Sequence, residues 1–163
     1  MPARLSIPDV EWREGVLFSR AHDDAYSSQR GARVEREHVF LRGNGFGAEG
    51  DADGGRWKQV GGTGQSRHLI AELGFGTGVT FLSAWAAFRA HAPADAQLDW
   101  VSVEGAPLDA ATLSCAALSD PAMAPLAPLV AELARAWPAH VRGIHRRALD
   151  GGRVRLTLLF GDV

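Results

Sequence analysis

Apolar and polar positions along this chain fall into two periods. His68-Leu69-Ile70-Ala71 is an apolar run of strand character that closes on Glu72. Over 79–89, Phe81, Leu82, Trp85, Ala86 and Phe88 occupy most of a helical circumference, which predicts a buried helix. Leu98-Asp99-Trp100-Val101-Ser102-Val103 is a second strand-like run, closing on Glu104. Pro107-Leu108-Asp109 opens a helix, with Asp109 in its first turn, that runs to about Ser119. Over 125–137, Leu126, Leu129, Val130, Leu133 and Trp137 recur at helical spacing until Pro138 stops the pattern. Val154 to Phe160 is a third strand, ending in Gly161-Asp162, and the turn signal Asp150-Gly151-Gly152 makes it the second arm of a hairpin. Strand, helix and strand in this order predict a doubly wound α/β sheet with parallel strands.

The first 67 residues read differently. Val10-Glu11-Trp12 and Val16-Leu17-Phe18 flank Arg13-Glu14-Gly15, a short hairpin pattern. Asp23-Asp24-Ala25-Tyr26 reads as a short helix or turn, and 34–41 is mixed. Nine glycines among the 25 residues of 43–67 give loop composition with few apolar anchors. Gly61-Gly62-Thr63-Gly64 looks like a phosphate loop, but no strand precedes it and a strand rather than a helix follows.

The chemistry concentrates at the end of the first strand of the α/β region. Leu73-Gly74-Phe75-Gly76-Thr77-Gly78 places glycines at alternate positions between a strand and a helix. Glycines there let the backbone turn tightly and approach a ligand, and the helix start offers free N–H groups to an anion. A dinucleotide fingerprint needs G-x-G-x-x-G, and Val79 stands where its third glycine should be. With Glu72 ahead of it, the loop fits the E/D-x-G-x-G-x-G pattern and resembles that of S-adenosylmethionine-dependent methyltransferases. That cofactor carries a carboxylate for the loop amides and an ammonium for an acidic neighbour, and no pyrophosphate. Glu104, some 25 residues past the loop, is spaced to accept both ribose hydroxyls. An acid after the third strand of such sheets commonly meets the adenine amino group, which selects Asp162. A solvated strand-end carboxylate and a turn aspartate are the plain alternatives for these two.

Composition adds bounds. At 163 residues, 46% hydrophobic with five Trp, the chain has the length and core of one domain. A net charge of −2 argues against non-specific nucleic-acid binding. Arg142, Arg146, Arg147, Arg153 and Arg155 cluster around the last hairpin, where a solvated face is favoured over phosphate contact. The single cysteine, Cys115, reads as a buried small hydrophobe and fits a reducing, cytoplasmic setting. No secretory signal or membrane-length apolar run is present, and the six histidines lack metal-ligand spacing, so they read as structural or exposed.

Several segments together carry a family resemblance. They are Ser19-Arg20-Ala21-His22-Asp23-Asp24-Ala25-Tyr26-Ser27, Val39-Phe40-Leu41-Arg42-Gly43-Asn44, Glu72 through Leu82, Ser102-Val103-Glu104, Pro107-Leu108 and Phe160-Gly161-Asp162. They resemble the methyltransferase domain of the tRNA 5-methylaminomethyl-2-thiouridine biosynthesis bifunctional protein family, over all of the chain except roughly 48–66. The resemblance implies a Rossmann-like S-adenosylmethionine-dependent methyltransferase sheet, here truncated after the third strand. Residues 1–67 would form the N-terminal hairpin, the Asp-Asp-x-Tyr segment and the glycine-rich loop, and 68–163 the first half of the α/β domain. It implies methyl transfer to the aminomethyl group of a wobble uridine in tRNA, without a metal or a membrane. FAD would belong only to a fused or separate oxidase, which nothing in this chain matches. Glu72, Gly74, Phe75, Gly76, Thr77, Gly78, Thr80, Glu104 and Asp162 would bind S-adenosylmethionine, and Asp24 and Tyr26 would line the methyl-transfer site. The chain departs from the family in Val79-Thr80 for Leu-Asn, Ser27 for Phe and Gly105-Ala106 for Lys-Phe. It also lacks the family's Asp-Gly-Phe-Ala-Pro segment, so the main catalytic segment is expected downstream of Val163. Rival readings are an inactive fragment, a cofactor-binding or RNA-contacting module, and a nicotinamide-dependent oxidoreductase.

Overall fold

Alternate burial marks the strands of the principal sheet. The computed structural model describes residues 3–26, 32–59 and 66–161. Four strands form this sheet: β4 (Arg67–Leu73), β5 (Gln97–Glu104), β6 (Gly143–Leu149) and β7 (Val154–Phe160). They lie in the order β4-β5-β7-β6. β4, β5 and β7 are mutually parallel, and β6 joins β7 as the antiparallel arm of the expected hairpin. Ser27, Gly61 to Gly64 and Asp162 lie outside the described residues. So does Val163.

One face of this sheet is dry. Leu98, Trp100, Val154, Leu156, Leu158 and Phe160 are at most 2% exposed and form one core with the helices. α2 (Val79–His91) buries Val79 and every residue from Phe81 to Phe88, so its near-continuous apolar surface is spent on all sides. α3 (Ala110–Leu118) is capped by Asp109, whose carboxylate accepts from the N–H groups of Ala111 and Thr112. Asp109 is therefore the cap itself and not a first-turn residue. α4 (Ala127–Ala136) buries Leu129, Val130 and Leu133. Cys115 is exposed, against the expectation of burial. α3 turns Leu113, Ala116 and Ala117 inward, and in a helix of alanines the sequence gives the inward direction no contrast.

The opposite face of the sheet is open. Register aligns Leu73, Val103, Leu159 and Ile144 in one row across all four strands. Leu73 is 87% exposed, Leu69 71% and Ile144 64%.

A second, antiparallel sheet is built from β1 (Val10–Arg13), β2 (Val16–Ser19) and β3 (Asp24–Ala25). The β1–β2 turn uses Glu14 and Gly15 at φ +50° and +82°, the left-handed pair that a two-residue hairpin loop requires. Of the segment expected as a helix or turn, Asp23 lies in a turn and Asp24–Ala25 form the third strand. Asp23, at φ +46° and paired with Arg13, reverses the chain so that Ala25 aligns with Phe18. α1 (Ala32–Arg36) follows and runs into a wider π turn, Glu37–Leu41. The described part of the glycine-rich stretch is ordered by an anchor that its composition hides. Trp57 is fully buried, donates its indole N–H to the Gly47 carbonyl at 2.9 Å, and lies against Phe46 and Phe88. Residues near the start of the chain are clasped to the segment before β6, through Leu5 N–H to His140 O (3.0 Å) and Arg142 N–H to Ala3 O (2.9 Å).

Candidate cofactor site

The glycine loop leaves β4 while still bonded to its neighbour, Gly74 N–H donating to Val103 O at 2.9 Å. Gly74, Gly76 and Gly78 all take positive φ (+80°, +54° and +74°), so the alternate spacing is a backbone requirement. A Cβ at Gly78 would stand 2.8 Å from the Phe75 ring. That ring is 4% exposed and packs on Phe81 and Trp137, so Phe75 can offer a ligand only its backbone. Thr77 is likewise buried. Gly78 caps α2 with no side-chain partner, leaving the helix start to the loop amides.

The described site residues fall on two sides of this loop. On one side, Glu104 turns its carboxylate back over the glycines. Oε2 accepts from Gly76 N–H at 2.8 Å and Oε1 from Ala106 N–H at 2.9 Å. Each oxygen keeps a lone pair for a further donor. Ser19, His22, Asp24, Ala25 and Tyr26 of the N-terminal sheet line the same cleft with Glu104, Gly105 and Ala106. The Tyr26 phenol is raised above its ordinary pKa, first by burial and then by the Glu104 charge, so it stays protonated. The Asp24 carboxylate is exposed and accepts from the N–H of Ala25.

On the other side, Glu72 and Thr80 line a groove along β4 with Trp100, Ile70, Phe40 and Phe46. The Glu72 carboxyl accepts from the Trp100 indole N–H at 2.9 Å. Burial pushes it up to about 7, against the pull of that hydrogen bond and of the Arg36 charge. A carboxyl in this state gains most from a cationic ligand, because pairing restores the charge that burial disfavours.

Two features escaped the sequence reading. His22 lies at the Glu104 cleft, and its only signal was its place directly before Asp-Asp-x-Tyr. Trp100 supports Glu72 from the adjacent strand, a pairing that needs the β4–β5 register. Of the arginines of the last hairpin, Arg142, Arg146 and Arg155 are exposed, as expected of a solvated face, while Arg147 and Arg153 are partly buried. Arg147 donates to Ala136 O, Arg153 donates to Pro93 O and lies over Phe88, and Arg155 pairs with Asp99. Among the described residues, no group of three His, Cys, Asp or Glu could hold a metal ion, and no helix is long and apolar enough to cross a membrane.

No family model matches the chain. It is 42% identical over 166 residues to the tRNA 5-methylaminomethyl-2-thiouridine biosynthesis bifunctional protein MnmC of Burkholderia mallei (strain SAVP1), a match that spans 99% of this chain and 23% of that protein. The same figures hold for the protein of that name from Burkholderia pseudomallei (strain 668). The chain thus spans about a quarter of the length of the curated relatives it matches. Among solved structures, MNMC2 from Aquifex Aeolicus superposes with a TM-score of 0.51 at 15% identity, over 97% of this chain and 44% of that one. That likeness shows the fold, a mixed α/β sheet with helices.

Proposed function

Because this chain belongs to the tRNA 5-methylaminomethyl-2-thiouridine biosynthesis bifunctional protein family, and corresponds to its N-terminal part, we propose that it binds S-adenosylmethionine for methyl transfer to the aminomethyl group of a wobble uridine in tRNA. The observation that carries the reading is the Glu104 carboxylate, held over the glycine loop by Gly76 N–H and Ala106 N–H with one lone pair free on each oxygen. A vicinal diol supplies two donors at that spacing, and the charged acceptor strengthens both bonds. Glu72 and Thr80, across the loop, hold the amino-acid end: Glu72 pairs with its ammonium, while the loop amides and the Thr80 hydroxyl take its carboxylate. Asp162, next after Gly161 at the end of β7, is assigned to the adenine amino group. By this reading residues 68–163 carry the cofactor elements, and 1–67 the N-terminal hairpin, the Asp-Asp-x-Tyr segment and the glycine-rich loop.

When bound, the cofactor supplies a methyl on a sulfonium, already a good electrophile. What remains for the protein is alignment and the acceptor's proton. An alkylammonium must lose a proton before its nitrogen can attack, and a site that lowers its pKa or accepts the proton raises the reactive fraction. The tRNA belongs to this proposal through the relatives' name; an FAD-dependent oxidase, as fused or separate partner, enters it only through the family resemblance of the sequence.

The test is a thermal melt of the chain with S-adenosylhomocysteine, beside Glu104→Ala. A ligand that binds only the folded state raises the melting temperature. A rise in the parent chain, absent in the variant and not produced by NAD, supports the reading and leads to a methyl-transfer assay on tRNA bearing the aminomethyl group. A cooperative melt that S-adenosylhomocysteine leaves unmoved overturns it.

A further inference from the structure

Resting on that reading, we propose that Tyr26 is the covering wall of the nucleoside cleft, and that the N-terminal sheet rather than the β5 terminus decides what Glu104 holds. The residues directly after Glu104 are Gly105 and Ala106, and neither has a side chain that could cover a ring. The side that faces them comes from β2 and β3, and Tyr26 is the largest side chain there.

Three observations fix it in place. The Tyr26 N–H donates to Leu17 O at 2.9 Å, continuing the β2–β3 ladder in which Phe18 aligns with Ala25. Its carbonyl lies against the loop, 3.9 Å from where a Cβ of Gly76 would be. The phenol ring is only half-buried and shares its cleft with Glu104. A residue anchored by its backbone in a sheet and open on its ring presents a face to a ligand without a folding cost at the moment of binding. An aromatic ring beside a diol-binding carboxylate matches a nucleoside, with a π face for the base and a charged acceptor for the sugar. Tyr26 thereby belongs to the cofactor's nucleoside end, and not to the methyl acceptor.

The test separates the two ends of the ligand. 5′-Methylthioadenosine carries the nucleoside without the amino-acid group, and S-adenosylhomocysteine carries both. Calorimetric titration should find that Tyr26→Ala weakens both ligands about tenfold, whereas Tyr26→Phe, which keeps the ring, stays within about threefold of the parent chain. Glu72→Gln should weaken S-adenosylhomocysteine and leave 5′-methylthioadenosine unchanged. Tyr26 is the single tyrosine of the chain. Ring-13C-tyrosine labelling therefore gives one assignable signal, which should shift on adding 5′-methylthioadenosine to the unmodified chain, whether or not Tyr26→Ala folds. A folded Tyr26→Ala that binds 5′-methylthioadenosine as the parent does, or a tyrosine signal that stays still when the parent binds it, overturns the proposal and leaves the cofactor reading standing. A folded parent chain that binds neither ligand overturns both.

Discussion

Glu72 is the residue whose ionisation couples stability to pH. Its carboxyl, normally near 4.5, is pushed up to about 7 by burial. Between those values the folded state holds a proton that the unfolded chain has released, so unfolding free energy falls as pH rises from about 4.5 to about 7, by up to roughly 3 kcal/mol. Urea titrations across that window should show the decline in the parent chain and its absence in Glu72→Gln. If Glu72 pairs with the cofactor's ammonium, binding requires the ionised form and runs the other way. The dissociation constant for S-adenosylhomocysteine should fall about tenfold per pH unit up to 7 and then level off, with calorimetry at four pH values as the check. The acid before the glycines was legible from its spacing. Its protonation was not, because that is set by burial in the folded chain, working against a hydrogen bond from Trp100, 28 residues on.

Among the elements, the glycine loop carries the clearest local constraint. Gly74→Ala meets no atom within 4 Å and costs only the left-handed backbone, about 1–2 kcal/mol. Gly78→Ala adds a Cβ 2.8 Å from the Phe75 ring, which Phe81 and Trp137 hold in place, and should cost roughly 3 kcal/mol or more. Chemical denaturation of the two variants checks the order. Elements with such local signatures were legible in the sequence: the strands before and after the loop, the buried α2, the amphipathic α4, and both hairpins with their turn residues. The misreadings lie where tertiary context decides. β3 is two residues long and exists because Asp23 reverses the chain beside β2. Residues 45–58 are ordered around one buried indole, although their composition is that of a loop. Tyr26 reaches Glu104 from a different sheet, and neither residue's local pattern points to the other.

At the scale of the molecule, the open sheet face sets the behaviour of the chain in solution. Parallel sheets are ordinarily covered on both faces, and an apolar row such as Leu73, Val103, Leu159 and Ile144 favours association. Sedimentation velocity should show concentration-dependent self-association of the 163-residue chain, reduced in Leu73→Lys with Ile144→Lys. The strand runs made Val103 and Leu159 legible as strand residues, but which face the helices take is a property of the crossovers. The clasp between Ala3, Leu5 and the segment at His140 to Arg142 acts across almost the whole described chain. Contacts so distant in sequence carry the largest loop-closure cost and form late. During synthesis Ala3 and Leu5 must therefore wait, without these partners, until the segment at His140 to Arg142 has left the ribosome.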